Sequence, residues 1–72
     1  MQHSPKRHAY LVAVSQKDEA VRVFAVLTTA PDEAQEAVAR NVPPKTKLEI
    51  VGVLARGVTK RLRLKPREPL QV

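Results

Sequence analysis

The chain has 72 residues, which is enough for one small domain and no more. It contains no cysteine, so disulfide bonds and zinc sites with thiolate ligands are excluded. Its formal net charge is +6 at neutral pH, and an excess of this sign favours partners that carry negative charge.

The N-terminal residues 1–7 are polar and basic, and they are predicted to form a flexible segment before the domain. The apolar stretch that follows is short and lacks a small-residue cleavage signature, so it is interpreted as a strand and not as a signal peptide. No apolar run approaches the roughly 20 residues that span a bilayer. We therefore expect a cytoplasmic protein without a membrane partner.

Two apolar stretches rich in β-branched residues, 8–15 and 20–28, predict the first two strands. The polar residues 16–19 between them have the length of a turn. Two strands joined by so short a connection form an antiparallel hairpin.

A helix is predicted to follow from Pro31 to about Asn41. Proline is tolerated in a first helical turn, where its missing N–H would have no partner, and Asp32 is favoured there by the helix dipole. Pro43 cannot continue the helix and ends it. Small apolar residues form the stripe that is expected to pack on a sheet: Ala34, Ala37, Val38 and Val42.

Residues 47–55 predict a third strand and residues 58–65 a fourth, with a turn at Arg56-Gly57 between them. In the fourth predicted strand, Leu62 and Leu64 fall on one face and basic residues on the other. This alternation is typical of a strand with one solvent-exposed face.

The predicted fold is therefore a small ββαββ domain of the α+β class, spanning residues 8–65 and followed by a tail, 66–72, in which two prolines end regular structure. A right-handed crossover through the helix makes the third strand parallel to the second. The simplest mostly antiparallel sheet has the order 2-1-3-4, with the helix packed on one face.

The face of this sheet away from the helix is predicted to be too apolar to meet water alone. This follows if Ser15 pairs with Ala20 across the hairpin, since a slip of one residue would exchange the faces of a strand. Two alternatives would shield this face from water. A second copy of the chain could pack on it and form a homodimer, or the C-terminal segment could fold back over it. The predicted self-association face comprises Leu11, Phe24, Val26, Val51 and Val53.

The positive charge is concentrated between Arg56 and Glu68, which hold six basic residues and one acidic residue, a net charge of +5. The remainder of the chain has a net charge of +1. On a strand, alternate side chains would be about 6.6 Å apart, which is comparable to the spacing of phosphates along a nucleic-acid strand. The C-terminal basic segment consists of Arg56, Lys60, Arg61, Arg63, Lys65 and Arg67.

No set of residues predicts an enzyme, a metal site or a cofactor. His3 and His8 lie near the terminus without a nearby acid, and the two glycines are not arranged as a phosphate-binding loop. The favoured interpretation is a non-enzymatic module that contacts the backbone of RNA or DNA, because the chain has few aromatic residues on which bases would stack. The alternative is a homodimeric interaction module that recognises an acidic protein surface.

Overall fold

The computed structural model describes residues 6–17 and 19–72, so most of the predicted N-terminal segment, with His3, lies outside the described residues. These residues form an α+β domain with one four-stranded antiparallel sheet and two helices. The elements, in chain order, are β1 (His8–Ser15), β2 (Arg22–Thr28), α1 (Pro31–Ala39), β3 (Lys47–Val53), α2 (Arg56–Leu62) and β4 (Leu70–Gln71).

The strands are arranged in the order β3-β1-β2-β4. The first strand is central, as predicted, and it pairs antiparallel with both β2 and β3. The fourth strand is not where the order 2-1-3-4 placed it, because β4 pairs with β2 and leaves β3 at the edge. The C-terminal part of the chain therefore extends the side of the sheet opposite to the predicted one.

The predicted strand over residues 58–65 is wrong, since Arg56–Leu62 is helical. The alternation that predicted a strand depends on only two apolar residues, Leu62 and Leu64. Val58 and Leu62 lie four residues apart, which suits one face of a helix equally well, and so short a pattern does not decide between the two.

The pairing of β2 with β1 is one residue away from the predicted register. Val12 lies opposite Phe24, whereas pairing of Ser15 with Ala20 would have placed it opposite the preceding residue of β2. A slip of one residue moves every side chain of a strand to the other face. Phe24 and Val26 therefore face α1, and their assignment to the self-association face is wrong.

A β-bulge in β3 changes a second part of that predicted face. Leu11 lies opposite Gly52, but the next residue of β1 lies opposite Ile50, so Val51 is an extra residue. A glycine inside a strand commonly marks a bulge, as Gly52 does. Beyond the bulge the alternation is reversed, and Val53 shares the face that α1 covers, contrary to its prediction.

The core lies between α1 and the sheet, and its fully enclosed residues are small: Val12, Val14, Val26, Ala34, Ala37 and Val38. Larger, half-buried side chains surround them: Tyr10, Phe24, Val42, Leu48 and Ile50. The apolar stripe predicted for the helix is confirmed, because Ala34, Ala37 and Val38 are its buried residues. Small side chains on α1 allow the helix to lie close to the sheet.

The outer face, opposite α1, is largely closed by its own side chains. Ala9 and Ala25 are 1% and 0% exposed, and the larger Leu11 and Leu27 beside them are half-buried. β4 adds Leu70, which lies opposite Ala25. Of the five residues of the predicted self-association face, only Leu11 lies in regular pairing on the outer face, as predicted. The homodimer stays a prediction.

We predict that Val38→Asp abolishes folding. Val38 is 1% exposed and lies in the core, so an aspartate there buries an unpaired charge at a cost of several kcal/mol. A small domain has only about 5 kcal/mol of stability to lose. Thermal unfolding followed by circular dichroism should show no cooperative transition, whereas Val58→Asp, at a position of α2 that is 42% exposed, should retain one. A cooperative transition in Val38→Asp near the wild-type temperature would show that α1 packs elsewhere.

We also predict that Phe24→Glu destabilises the domain by about 3 kcal/mol or more, because it removes core packing and introduces a charge. The matched variant Val51→Glu, at a bulge position that is 52% exposed, should change the stability by no more than about 0.5 kcal/mol. Urea denaturation of both variants measures the difference. The opposite ranking would restore the register that was predicted from the sequence.

Candidate nucleic-acid interface

The chain leaves the sheet for α2 beside the beginning of β1. The backbone N–H of Leu54 donates a hydrogen bond of 2.8 Å to the carbonyl oxygen of Ala9, so pairing with β1 continues for one residue beyond β3. The helix begins two residues later, and the hydroxyl of Thr59 donates to the carbonyl of Ala55 at 3.0 Å in its first turn. The start of α2 is thus held near the start of β1.

The chain beyond α2 returns to the opposite edge of the sheet. Arg63 ends the helix with a φ of 51°, and Arg67 has a φ of 63°. The backbone N–H of Arg67 donates to the carbonyl of Leu27 at 3.0 Å, and that of Val72 donates to Val23 at 2.9 Å. The C-terminal basic segment is therefore attached to the sheet at both of its ends.

The two prolines in this stretch do not prevent it from pairing, although they were predicted to end regular structure. Pro66 forms a bridge to Leu27, and Pro69 immediately precedes β4. Proline is accepted at a sheet edge because its missing N–H removes no bond from the interior of the ladder.

All six residues of the C-terminal basic segment are exposed, but they do not form the predicted row of alternate charges. That row required a strand, and its first member, Arg61, belongs to α2. Helical spacing instead aligns Arg56 and Lys60 along one face of α2, and Arg63 follows the helix in a left-handed conformation. Lys65 and Arg67 lie in the segment that leads to β4.

Little negative charge compensates these cations. In the part of the chain that the structure describes, Arg67 is the one residue of the C-terminal basic segment that forms a salt bridge, to Glu33 at 3.9 Å. Both side chains are partly exposed, and an ion pair in that setting contributes little free energy. The other five have no carboxylate within 4.0 Å among the described residues. The positive potential of these five side chains can therefore attract an anionic partner.

A surface cavity of about 280 Å³ lies where the start of β1 meets α2. Two cations of the C-terminal basic segment, Arg56 and Lys60, line it together with Arg7. None of the described residues that line it is acidic. We call it the basic cavity, and its lining residues are Arg7, His8, Ala9, Leu54, Arg56, Thr59 and Lys60.

Arg7 was not among the predicted residues of the C-terminal basic segment, because residues 1–7 were assigned to a flexible segment. Only its positive charge distinguishes it in the sequence, and that property is shared by many residues of this chain. Its proximity to Arg56 results from the pairing of β1 with the end of β3, which connects positions more than 40 residues apart.

A larger cavity, of about 360 Å³, lies along α1 and has a different character. Its two arginines are paired with its two glutamates: Arg40 with Glu36 at 3.4 Å, and Arg67 with Glu33 at 3.9 Å. With its charges balanced internally, this cavity offers no net attraction to an anion.

The described residues contain no group of three histidine or acidic side chains that could hold a metal ion. His8 is exposed at the start of β1, where its ring meets that of Tyr10 edge-on at 6.0 Å. Tyr10 and Phe24 are the only tyrosine and phenylalanine, there is no tryptophan, and both pack against the core. Neither therefore presents a fully exposed ring on which a base would stack.

Within the described residues, neither helix is long and apolar enough to cross a membrane. No known protein family, no curated protein and no solved structure matches this chain.

Proposed function

We propose that this domain is a non-enzymatic module that binds the sugar–phosphate backbone of RNA or DNA through its C-terminal basic segment. One observation carries the proposal: five of the six cations are exposed and have no carboxylate partner among the described residues, while their backbone is attached to the sheet. Cations on an ordered backbone lose less conformational freedom on binding than cations on a free tail.

Contact with the backbone is favoured over recognition of bases. Tyr10 and Phe24 are half-buried against the core, whereas single-stranded binders stack bases on exposed aromatic side chains. The longer helix, α1, carries Asp32, Glu33 and Glu36 against one arginine that follows it, so it would be repelled by the phosphates that flank a major groove. The remaining attraction is to phosphate, which carries no sequence information.

An interaction of this kind depends strongly on salt, because each neutralised phosphate releases counterions. The logarithm of the affinity falls with the logarithm of the salt concentration by about 0.9 for each contact with duplex DNA and about 0.7 for each contact with a single strand. The slope therefore reports how many cations touch the ligand.

We predict that replacing Arg61, Arg63 and Lys65 together by serine removes most of the binding and lowers the salt slope by about 2.7 for duplex DNA and about 2.1 for a single strand. All three side chains are exposed, so the fold should be retained. The matched control replaces Lys17, Lys45 and Lys47 by serine, which removes the same charge from the opposite end of the sheet. Labelled single- and double-stranded RNA and DNA are titrated by fluorescence anisotropy at about 50 and 200 mM salt.

The outcomes separate the alternatives. Absence of binding to all four nucleic acids at the lower salt concentration would eliminate the proposal and leave the acidic protein surface as the partner to test. An equal loss in the control variant would show that total charge, and not the C-terminal basic segment, attracts the ligand. Binding that survives the first variant would place the interface on other residues.

A further inference from the structure

We propose that the basic cavity holds the terminal phosphate monoester of a bound strand, so that the domain prefers nucleic-acid ends that carry a phosphate. This inference rests on the proposed function and assigns the end of the strand to a particular place on the domain. The C-terminal basic segment beyond the cavity would then contact the phosphates that follow.

Side chains from two elements converge on the cavity. Arg56, Thr59 and Lys60 lie three and four residues apart, a spacing that places helical side chains on one face. Arg7 immediately precedes β1. The hydrogen bond from Leu54 to Ala9 joins the two backbones at positions two residues from Arg56 and from Arg7, respectively, so the fold brings these parts of the chain together.

The charge of the cavity suits a monoester better than an internal phosphate. Arg7, Arg56 and Lys60 carry three positive charges, and no described acidic residue lines the cavity. A phosphate monoester carries about −1.5 to −2 charges at neutral pH, whereas an internal diester carries one. Arginine also presents paired N–H donors that match two phosphate oxygens at once. Three cations around one cavity are therefore best neutralised by a terminal phosphate.

The size and floor of the cavity agree with one terminal nucleotide. Its volume of about 280 Å³ lies just below the range for sites that hold drug-sized ligands, about 300–1,000 Å³. The apolar Ala9 and Leu54 form part of the lining, and Leu54, which is only half-buried, supplies most of its accessible apolar surface. An apolar surface beside the cations can lie against the sugar while the phosphate meets the charges.

The test compares three single-stranded oligonucleotides of one sequence, which carry a 5′-phosphate, a 3′-phosphate or no terminal phosphate. We expect one phosphorylated form to bind about tenfold more tightly than the form without phosphate, the effect of one charge-assisted interaction. In Arg7→Ser and in Lys60→Ser the preference should fall below about twofold. Lys45→Ser, at the opposite end of the sheet, should keep it.

A second readout locates the phosphate directly. Titration with a nucleoside monophosphate should move the amide resonances of Ala9 and Thr59 in a ¹⁵N correlation spectrum, and the unphosphorylated nucleoside should leave them in place. Equal binding of all three oligonucleotides would overturn the inference while the proposed function stands. Resonance shifts confined to residues away from the cavity would also overturn it, and absence of binding to every oligonucleotide would overturn both.

Discussion

The double pairing of β1 is the constraint on which the other elements depend. β1 is hydrogen-bonded to β2 on one side and to β3 on the other, and Ala9, Val12, Ala13 and Val14 are each 9% exposed or less. Because β1 is paired along both edges, the positions and directions of β2 and β3 are set by their pairing with it. β2 and β3 are consequently parallel to each other, and α1 connects them across one face.

The candidate interface is a consequence of this arrangement. Because β1 is antiparallel to both neighbours, its beginning lies at the end of the sheet where β2 and β3 finish. The chain that leaves β3 therefore passes Arg7 and forms α2 there. From this point it reaches the free edge of β2, where β4 pairs over two residues and Arg67 donates to Leu27. The basic residues are thus carried on a connection between the two edges of the sheet.

Local signals in the sequence were sufficient for part of this architecture. Pro31 and Pro43 bracket α1, and the apolar character of β1 on both faces indicated its central position. The register of β2 was not accessible in this way, because residues 23–27 are all apolar and show no alternation to mark an inner face. The extra residue Val51 then reversed the alternation at the end of β3.

The candidate site was predicted in its composition and not in its shape. The six basic residues are recognisable from charge alone, but the short apolar pattern around Leu62 allowed both a strand and a helix. The basic cavity needs Arg7 beside Arg56, and only the long-range pairing of β1 with β3 brings them together. Sequence separation of this size leaves no local signal.

The proposed interface depends on an ordered C-terminal basic segment, in which Arg56–Leu62 is helical and the chain after it is paired with the edge of β2. A nuclear Overhauser spectrum of the isotope-labelled protein tests it most directly. We expect cross-strand nuclear Overhauser effects between Ala25 and Leu70, and sequential amide–amide effects typical of a helix over residues 56–62. Random-coil chemical shifts for residues 56–72, without any nuclear Overhauser effect between this segment and β2, would contradict this arrangement. The segment would then be a free tail, and the basic cavity would not exist.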